Sequence, residues 1–226
     1  MIRLVNHLQS SVGRKVVITL TGLGLVLYVI FHMLGNLQVF EGPHAFNSYA
    51  AFLRDMPILL WTARIGLLSI VVLHIVLTIQ VSLQNHRARP NGYAIRRYRQ
   101  ASLASRTMAI SGLVLLSFIV FHLLHLTAGV IGSPNSDRVD AEGYRDVYGK
   151  VIVAFQNPLI VVLYLVGQLG LGLHLSHAVS SSFQTLGLEA AALDRLLKAA
   201  GPAIALFVVL GNVGIILAVF LGILGV

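Results

Sequence analysis

Five apolar stretches, each long enough to cross a lipid bilayer, constrain this chain more than any other feature: Val16 to Leu37, Ile58 to Leu83, Thr107 to Ile131, Leu159 to Phe183 and Pro202 to Val226. A helix rises about 1.5 Å per residue, so roughly 20 apolar residues match the hydrocarbon thickness. Inside lipid a backbone must satisfy its own hydrogen bonds, and here helices are the economical solution. The expected fold class is therefore an all-α integral membrane protein, with residues 1–226 forming one membrane domain. A composition 57% hydrophobic, with mean hydropathy +0.85, agrees.

Helix punctuation and charge set the direction. Pro57, Pro158 and Pro202 stand at or just before expected starts, and Gly132, Ser133, Pro134 and Asn135 follow the third span. Arg3, Arg14 and Lys15 precede span one. Arg87, Arg89, Arg96, Arg97, Arg99 and Arg106 fill the loop between spans two and three, and Arg195 and Lys198 precede span five. The other connections hold Arg54, Arg138, Arg145 and Lys150 among Glu41, Asp55, Asp137, Asp140, Glu142 and Asp146. Basic loops stay inside, which predicts a cytoplasmic N-terminus and an external C-terminus. Asp137 to Lys150, with Tyr144 and Tyr148, reads as a short interfacial helix.

The net charge of +8 belongs to this topology rather than to a nucleic-acid partner, because the basic residues sit in loops between apolar runs. With no cysteine, the chain has no thiolate to hold zinc or an iron–sulfur cluster. Met1 to Lys15 is polar and the run after it too long for a cleavable signal, so it reads as a permanent span. No internal repeat or second domain is read.

Ionisable side chains are costly in lipid, yet His32, His74, His122, His125, His174 and His177 fall on the first four spans. Counting helical rise, His32 lies roughly 26 Å from Arg14 and Lys15 and His122 roughly 24 Å from Arg106, in the outer half. His74 lies roughly 18 Å from His86 and His174 roughly 15 Å from Gln184, in the inner half. A low-spin b-type haem takes one neutral imidazole on each face, and bundles build such sites from facing helices. Two depth-matched pairs predict two stacked haems, with His32 and His122 on the outer and His74 and His174 on the inner. A lone intramembrane histidine more often bonds a neighbouring helix; the matched depths reverse that reading. His125 and His177 follow His122 and His174 by three residues on nearly the same faces. Periodicity alone leaves them open as ligands, whereas depth favours His122 and His174. The extra pair, like Arg64, then serves as a neighbour to a haem propionate, a quinone or a facing helix.

Several segments carry a resemblance: Ser10-Ser11-Val12-Gly13-Arg14-Lys15, Leu20-Thr21-Gly22-Leu23, His32-Met33-Leu34-Gly35-Asn36-Leu37-Gln38, Gly42-Pro43 with Ala45-Phe46-Asn47, and Leu173-His174-Leu175-Ser176-His177 with Phe183-Gln184-Thr185-Leu186-Gly187. Over nearly its whole length the chain resembles the five-helix, dihaem cytochrome b558 membrane-anchor subunit of succinate dehydrogenases and fumarate reductases. The resemblance implies haem iron held by His32, His74, His122 and His174. It also implies a flavoprotein and an iron–sulfur subunit on the cytoplasmic face of a bacterial cytoplasmic membrane. Such a complex, respiratory complex II of the tricarboxylic acid cycle, carries electrons through the inner and then the outer haem to menaquinone or ubiquinone; the reverse direction is fumarate reduction. Assembly of the whole complex into a higher oligomer is compatible with it.

A quinone headgroup needs hydrogen-bond donors near the interface, which nominates Asn36, His44, Asn47 and Arg64 at the outer end, with an inner site near His86 as the alternative. Arg64 has a second reading, snorkelling to the external surface. None of the five stretches holds an aspartate or glutamate, which argues against a carboxylate proton path. A quinol:cytochrome c type cytochrome b takes two histidines from each of two helices, unlike this pattern. The rival from another class is a haem-free transporter whose histidines relay protons, marked by inverted repeats or broken helices.

Overall fold

The computed structural model describes residues 10–88, 101–132, 138–188 and 193–225. Arg3, Arg89, Arg96, Arg97, Arg99, Ser133, Pro134, Asn135 and Asp137, named above, lie outside them. Among the described residues the chain is helical, without a strand: α1 (Ser11–Asn36), α2 (Pro43–Arg54), α3 (Pro57–Arg87), α4 (Leu103–Arg106), α5 (Met108–His122), α6 (Val147–Gln156), α7 (Pro158–Thr185) and α8 (Asp194–Phe220). A 3₁₀ segment, Leu37–Glu41, extends α1, and a π-helical turn, Leu123–Thr127, extends α5. Five of these helices, α1, α3, α5 with its π turn, α7 and α8, are long and apolar enough to cross a membrane.

Local chemistry sets most boundaries. The Ser10 hydroxyl caps α1 by accepting from Gly13 N at 3.0 Å. Pro57 and Pro158 occupy first turns, where a missing N–H costs nothing, and Asn157 caps α7 by accepting from Leu159 N at 2.9 Å. The fifth span departs from its expected start at Pro202. It begins at Asp194, with Pro202 inside α8. Proline removes the N–H that would meet the carbonyl four residues back, which here is Lys198 O. The Ser180 hydroxyl of α7 lies 3.2 Å from that oxygen, sharing its proton with Ser176 O, also at 3.2 Å. Gly201 makes this approach possible, since a Cβ there would collide with Ser176 O and Ser180 Oγ. A partner on another span thus lets a proline sit inside a helix where sequence alone reads a helix start.

Two more differences lie in the connections that follow α1 and precede α7. α2, which the sequence reads as loop, is a 12-residue helix starting at Pro43. The expected interfacial helix forms only from Val147; before it, Val139 and Arg145 make an isolated antiparallel bridge. The fully buried Asn47 of α2 ties these pieces together, donating to Asp140 Oδ2 at 2.9 Å and Asp146 Oδ1 at 3.5 Å while accepting from Tyr148 N at 2.9 Å.

Within the bundle α1 and α7 touch, α3 packs chiefly on α1, α5 chiefly on α7, and α8 lies along α7 and against α1. Lipid offers no hydrophobic incentive for helices to associate, so close packing must hold them. Val26, Leu175, Val179, Ala205 and Val208 make one buried cluster, and a second joins Phe46, Tyr148, Phe155, Tyr164, Ile216 and Val219 at the end of the bundle that α2 and α6 cover. No residue of α3 is buried; that span rests chiefly on α1, with a smaller contact to α2, and leaves most of its apolar side chains exposed.

Candidate functional site

Two histidine rings meet across the bundle, and two more, His74 and His174, lie within electrostatic reach of each other. At one level the ring centroids of His32 on α1 and His122 at the end of α5 lie 5.9 Å apart, with planes 87° apart. An iron held at about 2 Å by one nitrogen of each ring separates the centroids by about 6 Å, so this spacing suits an axial pair.

The other set is defined by what holds each ring. His74 Nδ1 on α3 lies 3.1 Å from Ile18 O and 3.1 Å from Thr21 Oγ1, both on α1. A carbonyl only accepts, and the Thr21 hydroxyl already donates to Val17 O at 2.7 Å. Nδ1 of His74 therefore carries the proton, which leaves Nε2 with a free lone pair. His174 on α7 is held alike: its Nδ1 is 3.3 Å from Ser111 Oγ, and the imidazole also bonds the carbonyl of Met108, which can only accept, so here too Nδ1 carries the proton. Orienting a ligand imidazole through Nδ1–H is how metal sites fix the tautomer and ring plane.

Beside each hydroxyl stands a glycine that lets the ring lie against the backbone. A Cβ on Gly22 would sit 3.2 Å from His74 Cε1, and one on Gly112 would sit 3.4 Å from His174 Cε1. From the sequence, Gly22 and Gly112 suit either the approach of a flat macrocycle to the backbone or ordinary helix packing; in the structure each faces a histidine ring.

The cradles expose a repeat that the sequence reading passes over. Thr21-Gly22-Leu23 on α1 matches Ser111-Gly112-Leu113 on α5, and His32 and His122 each follow eleven residues after the hydroxyl. Eleven residues are about three helical turns, so cradle and outer histidine share one face. The match includes an aromatic four residues earlier: Tyr28 stacks on His32 at 5.5 Å, and Phe118 lies 5.9 Å from His122. Hydrophobic exchanges between the two copies mask the similarity.

His125 has no histidine counterpart in this repeat, where Gly35 holds the equivalent place. It is fully buried, stacked on Phe121 at 5.4 Å, and its Nδ1 lies 2.9 Å from the Tyr164 hydroxyl. That same hydroxyl is 3.2 Å from His122 Nδ1. Tyr164 was not anticipated from the sequence, because one tyrosine in an apolar span reads as packing. His177 is half-buried on the turn after His174.

Of the residues nominated for a quinone, Arg64 and His44 are exposed. The Arg64 guanidinium lies 5.1 Å over the Trp61 ring and within electrostatic reach of Tyr28; His44 faces Tyr144 at 6.2 Å. Asn36 ends α1, half-buried. Asn47 differs: its amide is committed to Asp140, Asp146 and Tyr148, so it serves the outer cap. Although burial works the other way, the Asn47 amide and the backbone N–H groups of Tyr144 and Glu142 hold the Asp140 carboxyl below its ordinary value. Nearby, burial and then Arg145 push the Lys150 ammonium down, while its Nζ donates to Leu126 O at 2.7 Å.

Among the described residues no cluster of three or more histidine, cysteine or carboxylate side chains forms a multi-ligand metal site; an axial haem pair needs only two. No family model, curated protein or solved structure matches the chain.

Proposed function

We propose that this chain is the dihaem cytochrome b membrane anchor of a succinate:quinone oxidoreductase in a bacterial cytoplasmic membrane. The observation that carries the reading is the duplicated cradle: two imidazoles with protonated Nδ1 and free Nε2, each against a hydroxyl–glycine pair whose hydroxyl residue stands eleven residues before His32 or His122. His74 and His174 would hold one haem b and His32 and His122 the other. When bound, the haems supply one-electron redox chemistry linking a cytoplasmic iron–sulfur subunit and its flavoprotein to menaquinone or ubiquinone.

The residues of the chain do the positioning. Ile18 O, Thr21 and Ser111 fix the inner rings with the ligand nitrogen outward, and apolar spans exclude water, which helps set a redox potential. Arg64 and His44 present donors to a quinone headgroup at the outer end, with Tyr28 between Arg64 and His32. The Lys/Arg bias of the connections puts the N-terminus on the cytoplasmic side and gives the partner subunits a basic docking face.

Adding succinate to membranes containing the assembled complex is expected to reduce b-type haem. His74→Leu and His174→Leu should each remove the same haem, and His32→Leu and His122→Leu the other. Haem that succinate does not reduce, or full retention in these variants, contradicts the reading.

A further inference from the structure

Tyr164 presents one hydroxyl to two imidazoles. It is buried, with Phe155, Phe118 and Phe121 packed against it at ring-centroid distances of 4.8, 5.2 and 5.8 Å, all steeply tilted. Gly167, one turn along α7, admits Phe118, because a Cβ there would collide with its ring. This collar aims the hydroxyl at His122 Nδ1, 3.2 Å away, and His125 Nδ1, 2.9 Å away. The π turn at Leu123–Thr127 changes the angle at which His125 follows His122, a local rewinding common at functional positions.

Proton counting then constrains both histidines. A phenol has one O–H to give, and a neutral imidazole has one donor and one acceptor nitrogen. Among the described residues the two Nδ1 atoms are the only acceptors for that proton. The Nδ1 receiving it must be bare, and the other must be protonated, or two lone pairs would face each other. A cation at buried His125 would cost far more without a counter-charge. The two histidines therefore hold opposite tautomers, and only one can offer a bare Nε2.

Two observations choose between them. His122 aligns with His32 in the repeat while His125 aligns with Gly35. The His122 ring faces His32 at 5.9 Å. The assignment leaves His125 with a buried Nε2–H that has no hydrogen-bond partner among the described residues, a cost the Tyr164 bond must outweigh.

Resting on the haem reading above, we propose that Tyr164 is a positioning residue that gives its hydroxyl proton to His125 and accepts from His122 Nδ1–H. It thereby locks His122 with Nε2 turned to the iron. It also makes that imidazole a stronger ligand, since a phenol oxygen whose own proton is donated is a better acceptor.

The test uses the purified complex, with the outer haem identified as the one lost in His32→Leu. Tyr164→Phe keeps the aromatic collar and removes the hydroxyl. It is expected to retain two haems, raise the outer haem's midpoint potential, shift its low-spin EPR signal and leave the inner haem alone. His125→Phe should produce a smaller shift in the same direction. His125→Asn, whose amide oxygen can accept the Tyr164 proton, should stay near the unmodified protein. An unmoved outer haem in Tyr164→Phe overturns the proposal, as does loss of that haem in His125→Phe with retention in His122→Phe. Should Tyr164→Phe lose haem altogether, the His125 pair decides: a shift in Phe rescued in Asn supports the lock, and equal behaviour of the two overturns it. Absence of haem from the unmodified protein instead refutes the underlying function.

Discussion

Replacing Gly22 by alanine tests the inner cradle at the point where it is tightest. The added Cβ would lie 3.2 Å from His74 Cε1 and 3.7 Å from Nδ1, where ordinary contact begins near 3.4 Å. The ring must retreat by a few tenths of an ångström from bonds that already stand at 3.1 Å to Ile18 O and Thr21 Oγ1. Such overpacking and weakened bonding cost about 1 kcal/mol, which is roughly a fivefold loss of haem affinity. Glycine-to-alanine exchange favours the helix itself by about 1 kcal/mol, so a fall in haem content cannot be blamed on a weaker α1. At Gly112 the same exchange gives 3.4 Å and should be nearly silent. Haem titration into the haem-depleted chain, with EPR of the product, reads both variants. Gly22→Val, with two further methyl groups, should lose the inner haem outright. If Gly22→Val keeps two haems and an unchanged inner signal, the cradle does not position a haem ligand.

Other outcomes follow from the same contacts. Ser180→Ala removes the shared cross-helix hydrogen bond to the Lys198 carbonyl and should destabilise the α7–α8 pair by about 0.5–1 kcal/mol, measured as earlier unfolding in detergent titration; no change would mean the bond adds nothing to that pair. Asn47→Leu removes the hydrogen bonds linking α2 to Asp140, Asp146 and Tyr148, so the external segment should exchange amide hydrogens faster while haem content stays intact. Because the folded Asp140 carboxyl titrates below its ordinary 3.8, its contribution is complete above that value. That contribution is lost as pH falls through the lower, folded value, so amide protection around Arg138 to Val147, taken relative to the intrinsic exchange rate at each pH, should fall on acidification, and less so in Asp140→Asn.

Length and hydropathy make the spans legible because a bilayer demands both, and counting along opposed helices finds the histidine levels. What escapes depends on partners far along the chain. Pro202 looks like a helix start until Ser180 is known to meet Lys198 O. The helix Pro43–Arg54 is too short to announce itself beside 20-residue apolar runs. Thr21-Gly22 and Ser111-Gly112 look like ordinary small-residue packing until His74 and His174 are laid on them. The choice between His122 and His125 is nearly invisible to periodicity; it turns on one hydroxyl of α7 and on a repeat in which apolar residues have drifted.

The most direct measurement is a pyridine haemochrome spectrum of the purified chain, scaled to protein. The cradles and the outer pair predict two b-type haems per chain, falling to one with either member of a pair replaced by leucine. A colourless protein, or one haem that survives all four replacements, would contradict the account.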